Sequence, residues 1–480
     1  MNAKLIAMAA AAAAAATSAQ AADLPVAAEP VDYVQACDTF GAGFFKLPGK
    51  DTCIKVGGRI RANAVTGNFK KGADGKSQAK EYSFYTKGYL YLTSMTDTEI
   101  GLIKTYSEFT ATHDQAGAST VGIGNAYIDL GIAGGQLVIG RAGSKFNGFT
   151  GYAAVGVVDR KMFDNDVLQV SYTASLGNGI SAALSLEDSN KYGGADNKVD
   201  FVGALEVSQG WGSAKIAAAA HQNEYKKTGY GVNGKVELDL GQYVAGTKVA
   251  FGAAYAKDAL AYVDAKNADV TYTAEGWQNF ISAKDYADIK LAGKLDATIL
   301  TAAEQEIAKA AGLALDADGS LDADFAVFDA DDEAAAVTVT DENVLLSTAL
   351  AGALNAKGAK AYALSGGVKF AVTEEVTFAV DGSYMKLDNK GTLAHTGTAI
   401  AAADYGYNFE QKAYAVDGSI SYAPVAGLVL ALDAGWEKKD TTFKYDSVGS
   451  IVGGAAVKAA RKVKSSADTV KVGARVQYTF

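Results

Sequence analysis

The chain is 480 residues long, carries a net charge of −10 and combines 53 glycines, 25 tyrosines and 19 phenylalanines with only 4 prolines. The acidic balance, with no basic stripe, excludes a nucleic-acid backbone reader, which needs cations along its contact face. Beyond the leader no apolar run reaches the roughly 18 residues a membrane-spanning helix requires, so an aqueous secreted protein and a membrane β-barrel are the two classes left, and hydropathy near zero suits the barrel, whose strands show only alternate residues to lipid.

In chain order, a positive start at Met1-Asn2-Ala3-Lys4, an alanine-rich apolar run and the small-x-small site Ala19-Gln20-Ala21 predict an export signal over residues 1–21, cleaved after Ala21. Residues 22–52 read as a lead-in, with two prolines between Asp23 and Pro30. Cys37 and Cys53 are the only cysteines; in an oxidising compartment they are expected to form a disulfide around an aromatic, glycine-rich loop, with two buried free thiols as the bland alternative. No Cys-x-x-Cys or histidine-rich grouping accompanies them, so neither thiol redox chemistry nor a zinc site is predicted.

From Cys53 the pattern changes to period two: Ile54, Val56, Ile60, Ala62 and Ala64 fall on one face and Lys55, Arg59, Arg61 and Asn63 on the other. Further candidate strands are Tyr82 to Ser94 and Ile100 to Phe109, with Met95, Thr96, Asp97, Thr98 and Glu99 as the reversal between them. Val121 to Leu130 and Leu137 to Arg141 follow, joined at Gly-Ile-Ala-Gly-Gly. Leu168 to Thr173 turns at Leu176 to Gly179 into Ile180 to Leu186. Tyr230 to Leu240 alternates most cleanly, and Val368 to Val380, Tyr414 to Tyr422, Leu428 to Trp436 and Val470 to Phe480 continue the series. A helical period would scatter these apolar positions around an axis. Their number, together with the scarcity of proline, predicts an all-β, closed antiparallel transmembrane barrel of about 16 strands, within roughly 14 to 18. Its last strand, with Val472, Ala474, Val476, Tyr478 and Phe480 on one face, should close against the strand that starts near Cys53.

The stretch Val31 to Arg61, V-D-Y-V-Q-A-C-D-T-F-G-A-G-F-F-K-L-P-G-K-D-T-C-I-K-V-G-G-R-I-R, resembles the amino-terminal signature of the porins of rhizobia, brucellae and related alphaproteobacteria. Thr96 to Tyr106, Val170 to Glu187 and the terminal V-G-A-R-V-Q-Y-T-F resemble the same family. The resemblance implies a Gram-negative outer-membrane homotrimer of 16-stranded barrels, in contact with lipid and lipopolysaccharide and inserted by the barrel-assembly machinery. It implies passive passage of ions and small hydrophilic solutes, and a loop after the fifth strand that folds inward to narrow the channel. That loop corresponds to Ala142 to Asp166.

The barrel is expected over residues 53–257 and 361–480, interrupted by an alanine-rich, acidic insertion at 258–360 that reads as extracellular loops or a cap. Within it Leu295 to Leu315 favours helix and Val337 to Leu346 a divergent strand. The acidic run from Asp316 superficially suggests calcium, but Gly319 falls too early for an EF-hand loop, so solvated acid is the reading.

Alternation nominates Lys55, Arg59 and Arg61 for the lumen wall, followed by Lys87, Lys104 and Arg141. Asp164 and Asp166, near the return of the inward loop, are candidates for an opposing acidic surface, and opposed charges would set a transverse field. No cofactor or metal is predicted, and no catalytic residue: His113, His221 and His395 lack any local motif. The competing readings are a substrate-selective channel and a barrel-anchored structural or adhesive surface protein with a plugged lumen.

Overall fold

The computed structural model describes residues 35–47, 49–70, 81–161, 163–194, 197–223, 226–265, 358–393, 405–452 and 455–480. The predicted export signal, Leu295 to Leu315, Val337 to Leu346 and the acidic run from Asp316 lie outside these residues.

Sixteen antiparallel strands form one closed sheet. They are β1 (Cys53–Thr66), β2 (Tyr82–Thr98), β3 (Gly101–Asp114), β4 (Ser119–Ile132), β5 (Gly135–Gly143), β6 (Asp166–Gly177), β7 (Ile180–Asp188) and β8 (Val199–Gln209). The second half comprises β9 (Gly212–Gln222), β10 (Thr228–Asp239), β11 (Lys248–Lys257), β12 (Lys360–Ala371), β13 (Val376–Leu393), β14 (Tyr405–Val425), β15 (Leu428–Val452) and β16 (Ala455–Thr479). Each strand pairs with its chain neighbours, and β16 returns to β1 with Gly473 opposite Val65 and Thr479 opposite Arg59. Two further bonds extend this seam: Phe480 N–H to Gly58 O and Gly58 N–H to Phe480 O, both at 2.9 Å. The expected partner of the terminal strand is therefore the observed one.

Alternation sorts the two faces. Val56, Ile60, Val232, Val236, Phe251, Leu364, Val380, Val416 and Val476 are exposed on the outside, while their sequence neighbours turn inward. Aromatic rings bound this apolar band. Tyr230, Tyr362, Tyr384 and Tyr414 lie toward the long connections, and Phe370, Phe378, Tyr422, Tyr478 and Phe480 lie toward the short turns. Short turns mark the periplasmic end of such a barrel and long connections the external end. The lead-in is stapled beneath the periplasmic rim: Cys37 and Cys53 are disulfide-bonded, and Lys46 pairs with Cys53 in a short ladder.

Three sequence expectations are corrected. Met95 to Thr98 belong to β2, leaving only Glu99 and Ile100 between strands. Their polar side chains resemble a turn because the inward face of a barrel strand is itself polar. Val368 to Val380 is not one strand but the end of β12 and the start of β13, separated by residues 372–375.

The third concerns the insertion only at its start, residues 258–265, since residues 266–357 lie outside the described residues. β11 and β12 pair directly across it, Lys257 opposite Lys360. Its first residues then turn into the barrel and not outward: Leu260–Val263 forms a 3₁₀ turn in which Tyr262 and Val263 are completely buried. They pack with Phe146, Phe163, Tyr192, Met385 and Leu387 in one inward-facing cluster.

Gly427, in the tight turn between β14 and β15, has φ +84°, and a Cβ there would meet the Thr479 carbonyl of the closing strand. Gly427→Ala should cost about 1–3 kcal/mol through backbone strain. The measurement is the urea concentration at which the band loses its folded, heat-modifiable mobility, and an unchanged midpoint would contradict the assignment.

Candidate functional site

The lumen is shaped by the connection between β5 and β6, residues 144–165, whose root is tied by its own side chains. Ser144 Oγ donates to Glu187 at 2.7 Å, and Lys145 N–H donates to the same carboxylate at 3.0 Å. Asn147 closes the base by accepting from Asn165 N–H at 2.9 Å and donating to the Asn165 carbonyl at 3.0 Å. Phe146 and Phe163 contact edge-to-face and pack on Tyr262, so the loop leaves the wall over an aromatic cushion.

From that root the chain crosses the barrel and docks on β13–β15. Asp381 accepts from the N–H groups of Tyr152 and Ala153 at 2.7 and 2.6 Å, and Asp433 from those of Val155 and Gly156 at 2.7 and 2.9 Å. Asp417 accepts from Val157 N–H at 3.0 Å. Arg160 adds a close ion pair to Asp381 and stands 3.7 Å from Asp417. All three aspartates are buried. A buried carboxylate is tolerated only when cations and N–H donors replace its water, and an irregular loop inside a barrel needs acceptors for its unpaired N–H groups. The docking satisfies both requirements at once.

Further along, Lys161 bonds Asp159 and lies 3.8 Å from Asp264, joining the loop to the beginning of the insertion. Burial opposes the charge of Lys161, but Asp264 and Asp159 hold its ammonium above the usual lysine range.

The opposite wall is basic. Arg59, Arg61 and Lys87 lie on the inward faces of β1 and β2, where Arg61 pairs with Lys87 and Arg59 with Tyr89. The Arg59 guanidinium sits 4.0 Å from the Tyr89 ring centre and Lys87 Nζ 4.9 Å from it. Arg61 donates to Gln477 at 2.7 Å. Tyr89, Tyr91, Tyr106 and Tyr127 continue the wall as a stacked series with centroid separations of 6.1, 6.3 and 5.5 Å. Arg475 of β16 belongs to the same group. It donates to Asn63 at 2.8 Å and to the loop carbonyls of Ala154 and Val155, so it holds the loop from the basic side. Its signal was present in sequence, since the inward face of the last strand reads Lys471, Gly473, Arg475, Gln477.

Of the remaining nominated residues, Lys104 is inward and opposite Asp129 near the periplasmic end. Lys55 donates to the Ala42 carbonyl at 3.1 Å and steadies the disulfide loop. Arg141 stands opposite Ala126 and Leu168, on the outward face shared by Ile128, Ile139 and Val170. Asp166 opposes Gly143 on that same outward parity. Asp164 stays at the loop root beside Asn147, where burial and then Asp166 raise its pKa. The carboxylates that face the basic wall are thus Asp381, Asp417 and Asp433, and not Asp164 and Asp166.

The family described as the porin subfamily matches residues 23–411. The chain is 34% identical over 246 residues to Porin Omp2b of Brucella canis, covering 44% of this chain and 64% of that protein. It is 33% identical over 246 residues to Porin Omp2b of Brucella suis, with the same two shares. The alignment thus spans just under two thirds of the length of these curated relatives. Among solved structures, the outer membrane channel DcaP of Acinetobacter baumannii aligns with a TM-score of 0.47 at 13% identity, covering 89% of this chain and 97% of that one.

Asp381→Ala should orphan two loop N–H groups and leave Arg160 with Asp417 alone, at a local cost of about 3–5 kcal/mol. Amide exchange at Tyr152 and Ala153 should accelerate while β13 remains protected. Unchanged exchange would show that the aspartate does not hold the loop.

Proposed function

The chain belongs to the porin subfamily, an outer-membrane β-barrel family, and from that premise we propose that it forms a water-filled channel for passive diffusion of ions and small hydrophilic solutes. The observation that carries this reading is the asymmetry of the lumen. The loop is docked against one wall, its acids covered by N–H groups and Arg160, whereas Arg59, Arg61, Lys87 and Arg475 form no ion pair among the described residues.

Passage needs no chemical step. The inward polar face replaces part of a solute's hydration as it crosses, and the loop sets the size limit. Charge fixed on one side of a low-dielectric bore biases local ion concentration. Arg59, Arg61, Lys87 and Lys104 are the wall residues of this proposal, with Arg475 added and Lys55 acting at the periplasmic rim. Homotrimer assembly, contact with lipopolysaccharide and insertion by the barrel-assembly machinery belong to the same proposal.

The buried turn Leu260–Val263 favours a substrate-selective variant, because it occupies inward space on the side opposite the basic wall. Saturation of ion current by one solute class would separate that variant from general diffusion.

In planar bilayers the refolded protein should give large, uniform conductance steps; their absence would defeat the channel reading in favour of a plugged surface anchor. Arg59→Gln with Arg61→Gln should shift the reversal potential toward cation preference by several millivolts in a tenfold salt gradient while leaving assembly intact. An unmoved reversal potential would remove these residues from the conducting path.

A further inference from the structure

We propose that the outer wall of β10–β14, just beyond the external tyrosine belt, binds the phosphate-bearing headgroup of a lipid in the outer leaflet. A cavity of about 640 Å³ opens there, lined among others by Tyr230, Tyr255, Lys257, Lys360, Lys386 and Lys390. Its residues face away from the lumen. Tyr230 opposes Lys257, Lys257 opposes Lys360, Lys360 opposes Asp388 and Asp388 opposes Glu410, all on one face. Their neighbours Ala256, Ala361, Leu387 and Gln411 are buried on the other.

Charge in this cavity is unbalanced. Lys386 lies 3.1 Å from Asp388 and 3.0 Å from Glu410, and Lys412 lies 3.1 Å from Glu410, so both acids are engaged. Lys257, Lys360 and Lys390 have no ion-pair partner among the described residues. Moreover, Lys257 and Lys360 are directly opposite across an antiparallel pair with no carboxylate between them, whereas the opposed Lys386 and Lys412 share Glu410. Like charges in that relation destabilise a sheet. An anion seated between the ammonium groups removes the repulsion, and a phosphate supplies several acceptor oxygens for them.

Height selects the source of the anion. Lys257 follows Tyr255 by two residues, Lys386 follows Tyr384 by two, and Lys360 precedes Tyr362 by two. Lys257, Lys360 and Lys386 therefore stand one same-face step, about 7 Å, beyond rings that mark the membrane interface, and Lys390 stands two further steps out along its strand. That is headgroup depth, with the tyrosine faces and the apolar band below available to the acyl chains. A cationic cluster on the lipid side at this depth fits an anionic lipid, by the same electrostatics that draw basic segments to charged leaflets.

The inference rests on the membrane placement of the barrel and not on conduction. Native mass spectrometry of the full protein in detergent, titrated with diphosphorylated lipid A, tests it. Lys257→Gln, Lys360→Gln and Lys390→Gln combined should weaken binding by at least about tenfold. The equal charge change Lys191→Gln, Lys198→Gln and Lys226→Gln on external loops should not. Binding within twofold of wild type in the first variant, or an equal loss in the second, would overturn the site. Equal binding of fully dephosphorylated lipid A would overturn phosphate recognition, and full competition by millimolar inorganic phosphate would assign the lysines to free anions instead. Conductance steps of the triple variant should match wild type, so a wild-type protein that binds the lipid without conducting would sink the channel and spare this site.

Discussion

Everything in this molecule depends on leaving no backbone group unpaired in hydrocarbon. A sheet in lipid can meet that demand only by closing on itself. Closure falls to β1 and β16, the first and last barrel strands, which meet in register from Gly473–Val65 to Thr479–Arg59 and are extended by Phe480 and Gly58. Gly58 is part of the same solution. A side chain there would collide with the Phe480 ring, so the terminal aromatic lies flat over a glycine on the outer face. The disulfide at Cys53 holds the start of the same seam.

A closed sheet with an apolar outside has a polar inside wide enough to hold chain, and that chain brings its own unpaired N–H groups. The loop at residues 144–165 resolves this by offering successive amides to Asp381, Asp433 and Asp417. The carboxylates gain donors in place of water, and the loop gains a fixed path. One consequence is electrostatic: acids spent on docking contribute little field to the open part of the lumen, so the unpaired arginines across from them dominate it.

The barrel was legible because period two is a local property: a strand such as Tyr230 to Leu240 shows both faces within a few residues. The resemblance implies an inward loop over Ala142 to Asp166, and the connection at residues 144–165 makes its hydrogen bonds to Asp381, Asp417 and Asp433. What could not be read locally was partnership. The contacts that dock the loop join residues more than 200 positions apart, such as Tyr152 with Asp381 at a separation of 229. A signal nonetheless existed, since Val380-Asp381-Gly382-Ser383 and Val416-Asp417-Gly418-Ser419 repeat an aspartate at an inward position. Arg141 was misplaced for a different reason. β5 is short, so few residues define its alternation, and the register carries Arg141 to the outer side with Ile139. Charge on a barrel strand indicates the inner face only where the alternation around it agrees.

That distinction also governs the lysines above the tyrosine belt. They sit on outward parity, like Arg141, and their sequence neighbours Ala256, Ala359, Ala361, Met385, Leu387 and Asn389 are buried. Water alone does not account for Lys257 and Lys360 placed squarely opposite one another on the lipid side of a wall. Within the lumen, cations are kept unpaired where passing solutes can meet them. On the outside the same economy applies at the depth where anionic headgroups collect, so one alternating pattern sets two cationic surfaces toward two different environments.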